Sequence, residues 1–82
     1  MTAMWEDMIQ IGGIYRHFKG GIYRVIGVGK HTETGELLVF YTALYGEGLS
    51  YARPFVDFMS SVDRDKYPDA DQFYRFSLIK EA

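Results

Sequence analysis

A chain of 82 residues with 48% hydrophobic and 17% aromatic side chains is too apolar for disorder and large enough for one compact core, burying roughly 60% of its unfolded surface. The absence of cysteine excludes disulfides and thiolate metal sites, so the core must suffice without cross-links, which fits a reducing compartment. A net charge of −2 excludes the long-range pull on polyanions of a strongly basic chain. The charge is nevertheless uneven: Arg16, Lys19, Arg24 and Lys30 lie in an acid-free stretch from Gly12 to Thr32, while Asp57, Asp63, Asp65, Asp69 and Asp71 dominate a later one.

Residues 1–12 read as an N-terminal segment ahead of a single small β domain over 13–82. Met1 to Gln10 holds Glu6 and Asp7 and no basic side chain, which is not the pattern of a secretory leader. No apolar run approaches the roughly 20 residues that span a bilayer. The expectation is a cytoplasmic protein with no membrane partner. Thr2 is placed to cap a short helix that brings Met4, Trp5, Met8 and Ile9 to one face and ends at Gly12 and Gly13. That face must pack on the body or on a second copy, leaving monomer and homodimer both open.

Two runs rich in β-branched and aromatic residues, Ile14 to Phe18 and Ile22 to Val28, flank Gly20-Gly21 and predict a hairpin. Gly27 and Gly29 mark a bulge or bend near the end of the second strand. Glu33-Thr34-Gly35-Glu36 predicts a turn, and Leu37 to Leu44, apolar on both parities, predicts the central and most buried strand. After glycines 46 and 48, a strand from Leu49 to Arg53 should stop at Pro54, which opens one helical turn with Phe55, Phe58 and Met59 inward. A polar loop from Ser60 to Asp71 precedes a last strand, Phe73 to Leu78. The expected fold is mainly β: a small antiparallel SH3-like barrel of about five strands, with an open twisted sheet capped by a helix as the alternative.

The run Tyr15-Arg16-His17-Phe18-Lys19-Gly20, then Tyr23 and Val25, His31-Thr32-Glu33-Thr34, Val39 and Tyr41, Ala43-Leu44-Tyr45-Gly46, Arg53-Pro54, Phe58 and Arg75-Phe76 resembles the small bacterial family catalogued as domain of unknown function 1653. The resemblance runs from about Gly13 to Ile79 and implies no established activity, cofactor or partner. One departure is Tyr51, where the family pattern often carries tryptophan. An aromatic platform is kept and a hydroxyl is added.

Chemistry-bearing residues are sparse. His17 and His31, with Glu33, fall short of a closed zinc site and would just meet the three ligands of an open one, so no metal or cofactor is expected. Glu47, between two glycines, is the one acid among the candidate pocket residues, and the serines lack a nucleophile elbow. Tyrosine and arginine are more numerous than a core of this size can hide, since hydroxyls and guanidiniums need partners or water. Three functional expectations follow. The first is a non-enzymatic module that binds a peptide or protein through Tyr15, His17, Tyr41, Tyr45, Tyr51 and Arg53. The second is weak single-stranded nucleic-acid binding through Arg16, Lys19, Arg24 and Lys30. The third is a small-ligand or enzymatic pocket around His17, Arg53 and Glu47.

Overall fold

The computed structural model describes residues 7–82. Its elements are β1 (Ile14–His17), β2 (Ile22–Lys30), β3 (Leu37–Ala43), β4 (Ser50–Pro54), the single helical turn α1 (Phe55–Phe58) and β5 (Phe76–Lys80). The five strands form one sheet in the order β4-β3-β2-β1-β5, each paired antiparallel to its neighbours. The mainly-β reading with one helical turn after Pro54 therefore holds. The sheet does not close, because β4 and β5 are its two edges, and it fits a barrel only loosely. Of the helix expected from Thr2 to the glycines at 12 and 13, residues 2–6, Met4 and Trp5 among them, lie outside the described ones, and residues 8–12 are not helical. Of that face, Met8 is exposed and Ile9 is buried in the core.

Aromatic packing fills the opening between the edges. Phe58 of α1 stacks on Phe76 of β5 with ring centroids 4.0 Å apart, and stands edge-on to Tyr15 and Tyr41, each at 5.5 Å. These rings join Ile9, Val25 and Val39 in one cluster. The turn that follows Pro54 thus acts as a plug on the inner face of the sheet, in place of the strand pairing that would have sealed a barrel.

A bulge decides which side chains face that plug. The β2–β3 register shifts between Val25 and Gly27, leaving Ile26 unpaired and half exposed. Without the extra residue Val25 and Val28 would point to opposite faces. With it they lie opposite Tyr41 and Val39 on the same inner face. By the same alternation, Tyr15, His17, Tyr23, Tyr51, Arg53 and Phe76 point inward, whereas Arg16, Arg24, Thr42, Ser50 and Ser77 point outward.

Two strand expectations are corrected. The Leu37–Leu44 strand is the most buried, as expected, with Val39, Tyr41 and Ala43 of β3 in the interior, but the middle of the sheet is β2. The last strand begins at Phe76 instead of Phe73. Residues 73–75 hydrogen-bond to the loop before them: the Val62 N–H donates to the Phe73 carbonyl at 2.8 Å and the Arg75 N–H to the Ser60 carbonyl at 2.9 Å. Among the described residues no helix is long and apolar enough to cross a membrane.

Candidate functional site

The inner face opens beside the Phe58–Phe76 stack into a cavity of about 440 Å³. Each strand but one contributes to its polar lining: His17 from the end of β1, Tyr23 from β2, Tyr41 from β3 and Arg53 from β4, while Phe76 from β5 supplies an aromatic wall. Loops add Phe18, Lys19, Tyr45, Tyr67 and Arg75.

Two arginines are held by one carboxylate. Arg53 Nη1 donates to Asp57 Oδ2 at 2.6 Å and Arg53 Nε to the Tyr41 hydroxyl at 3.1 Å. Asp57 is on α1, four residues after Arg53, so the chain reversal at Pro54 brings the pair together. Arg75 Nη2 lies 3.7 Å from the other oxygen of Asp57, and its Nε donates to Ser60 Oγ at 3.1 Å. Burial alone would lower the Arg53 pKa, but the bonds to Tyr41 and Asp57 outweigh it and push the value further up. The guanidinium centre also sits 5.7 Å from the Phe76 ring centroid.

Lys19 completes the positive lining. Its Nζ lies 5.0 Å from the Tyr67 ring centroid and 5.8 Å from that of Phe18, and the ion pairs among the described residues do not include it. Its nearness is the first cause lowering the Tyr67 phenol's pKa. Among the described residues, three cations thus line the cavity, with one carboxylate behind the two arginines.

His17 answers to that field. Burial first, then the charges of Arg53, Arg75, Lys19 and Arg16, lower its pKa to about 4, so the ring is neutral near pH 7. Its Nδ1 accepts the Lys19 N–H at 3.1 Å, which leaves the ring proton on Nε2. Across the cavity, the Tyr23 and Tyr45 hydroxyls share a hydrogen bond of 2.6 Å. Burial and that bond raise the Tyr23 phenol to about 12.

Of the residues expected to bind a ligand, His17, Tyr41, Tyr45 and Arg53 come together at this cavity. Tyr51 stands beside it, its ring 5.7 Å from Tyr41 and 6.3 Å from Tyr23. Tyr15 is separated from the group: it is only 5% exposed, and its hydroxyl accepts the Gln10 N–H at 3.0 Å. Glu47 is exposed in the loop after β3 and does not line the cavity. The four basic residues of the nucleic-acid expectation are dispersed. Arg16 and Arg24 point outward, Arg16 pairing with Asp71 at 3.2 Å; Lys30 ends β2 and Lys19 lies at the cavity. His31 Nδ1 accepts the Glu33 and Thr34 N–H groups within its own turn. Among the described residues no three metal-ligating side chains cluster.

Tyr23, Tyr67 and Arg75 were not among the expected site residues. Tyr23 was legible in principle, since a tight Gly20-Gly21 hairpin puts it opposite Tyr15 and one alternation step from His17. Arg75 belongs to the surplus of arginines, but only the Ser60–Arg75 backbone pairing brings it to Asp57. Tyr67, in a polar loop, carries no periodic signal.

Comparison with known proteins places the chain. The family profile described as "Protein of unknown function (DUF1653)" matches residues 13–78. A crystal structure of a DUF1653 protein from Bordetella bronchiseptica is similar over 98% of this chain and 96% of its own, with 32% identity and a TM-score of 0.75. No curated protein matches. With the profile spanning β1 to β4, α1 and the start of β5, Phe76 included, the chain belongs to the DUF1653 family.

Proposed function

We propose that this protein is a non-enzymatic binding module whose inner-face cavity captures an anionic segment of a peptide or partner protein. The observation that carries the reading is the convergence of Arg53, Arg75 and Lys19 on one tyrosine-lined cavity, where Asp57 is the one carboxylate paired with these cations among the described residues, and only with the two arginines. Tyrosine and arginine are the residues most often found as anchors of protein interfaces. Asp57 holds the guanidiniums in place before a ligand arrives, which lowers the ordering cost of binding. His17 supports a binding role over proton transfer, because its Nδ1 is engaged and its pKa lies far below neutral. The cavity volume also falls in the range of small-molecule sites, about 300–1,000 Å³, which favours a small anionic ligand as the second reading.

Titration of the ¹⁵N-labelled protein with glutamate-rich and lysine-rich hexapeptides tests the proposal. The acidic peptide should shift the amides of Lys19, Gly21, Tyr23, Tyr45 and Arg53, and the basic peptide should not. Arg75→Gln should weaken the acidic peptide by about tenfold, the worth of one charge-assisted hydrogen bond. Identical responses to both peptides, or shifts confined to Arg16 and Arg24, contradict it.

A further inference from the structure

We infer that the group anchored in this cavity is a phosphomonoester dianion. The inference rests on the anion-binding reading above and names the chemistry that the site selects.

The hydrogen-bonding inventory of the lining is almost entirely donating. Arg53 spends Nε on Tyr41 and one Nη1 hydrogen on Asp57, which leaves Nη2 and the second Nη1 hydrogen for a ligand. Arg75 spends Nε on Ser60, and its approach to Asp57, at 3.7 Å, is an ion pair too long for a hydrogen bond, so both terminal nitrogens stay available. Lys19 adds an ammonium, and His17 an Nε2–H. Of the two hydroxyl protons in the Tyr23–Tyr45 pair, one is used between them and the other is spare. Tyr41, accepting from Arg53, keeps its own proton to donate. A ligand that satisfies such a set must accept at many points and donate at few. Three phosphoryl oxygens do so, whereas a carboxylate brings two.

Charge selects in the same direction. Three cations less one aspartate leave about two positive charges at the lining, and a phosphomonoester carries about −1.5 to −2 near pH 7. A monocarboxylate would leave roughly half of that uncompensated. The cavity is larger than a phosphoryl group alone needs, and the remaining wall is aromatic: Phe18, Tyr23, Tyr67 and Phe76. That wall suits a flat substituent on the ester oxygen. The phosphomonoester can sit on a peptide side chain or on a free small molecule, and both present the same group to the cations.

Isothermal titration at pH 7.5 with phenyl phosphate, phenylacetate and inorganic phosphate decides the matter, with amide shifts locating each site. Phenyl phosphate should bind at Lys19, Tyr23 and Arg53 at least tenfold more tightly than phenylacetate and more tightly than inorganic phosphate. Lys19→Gln, at an exposed position, should reduce that affinity. Arg75→Gln should do so further, provided thermal unfolding shows it folded. A phosphotyrosine pentapeptide that outbinds phenyl phosphate assigns the group to a peptide, and equal affinity assigns it to a small molecule. Equal affinity for phenylacetate and phenyl phosphate overturns the phosphoryl assignment and leaves the anionic reading standing, as does binding of the glutamate-rich peptide without phenyl phosphate. No response to any of these anions overturns both.

Discussion

Asp57 is the side chain on which the geometry of the cavity turns, since Arg53 and Arg75 meet at its two oxygens. Removing its charge by Asp57→Asn should loosen both guanidiniums, which keep their bonds to Tyr41 and Ser60, and lower stability by about 1 kcal/mol, a modest cost because the three groups are partly exposed. Chemical denaturation of the variant checks this. His17 gives a pH test whose sign is fixed by the direction of its shift. The ring has a pKa of about 4 in the folded state against 6.5 unfolded, so the stability tied to its neutral form is present above pH 6.5. It is lost as the pH falls toward 4, where the unfolded chain binds the proton first. Solvent screening keeps the effect on the order of 1 kcal/mol. Denaturation at pH 7 and pH 5 should show a loss in the wild type that His17→Gln reduces, and an identical loss in both proteins contradicts this account. At this scale the sequence was only half readable. That tyrosine and arginine exceeded what a core could hide was legible from their number. That Tyr15 turns into the core while Tyr23 opens into the cavity was not, because both alternate inward, and only the position of Phe58 along the sheet decides which ring is covered.

Among the elements, the hairpin of β1 and β2, the turn at Gly35 and the helical turn after Pro54 were all legible, because each depends on residues adjacent in the chain. Gly35 has a φ of +73°, a conformation other residues rarely take. The bulge was foreshadowed by Gly27 and Gly29, but its register, with Ile26 as the extra residue, follows from burying Val25 and Val28 together. The start of β5 was misplaced for a similar reason. Phe73 and Tyr74 look like strand residues, yet they bond to the Ser60–Val62 segment, a pairing no local pattern announces. The plug is the element whose loss should matter most. Phe58 is fully buried, and Phe58→Ala should cost about 3–5 kcal/mol, the usual result of emptying an aromatic core site. Phe73→Ala, at a ring 63% exposed, should stay within about 0.5 kcal/mol. Urea midpoints for the two variants test the contrast, and comparable losses would show that α1 does not hold the sheet.

For the molecule as a whole, the sequence foretells a basic half and an acidic half, and the fold brings them into contact. Arg16 reaches Asp71 and Gln72 across the chain, while Arg64 binds the Ala70 and Gln72 carbonyls within the acidic loop. Part of the basic hairpin is thereby neutralised, and the positive charge left on the inner face is that of Arg53, Arg75 and Lys19. Its concentration in one cavity depends on long-range pairing, which is why the grouping was not legible from composition. Because the overall charge is slightly negative, binding of an anion should come from this local field and weaken as added salt shortens the Debye length below about 8–10 Å.

The most direct measurement of that claim follows the arginine side chains themselves, through their ¹⁵Nε–¹H resonances, as the glutamate-rich peptide is added at low salt. Shifts are expected at Arg53 and Arg75, with Arg24 and Arg64 unmoved. Shifts confined to Arg24 and Arg16 on the outer face, or none at any arginine while the peptide binds, would contradict it.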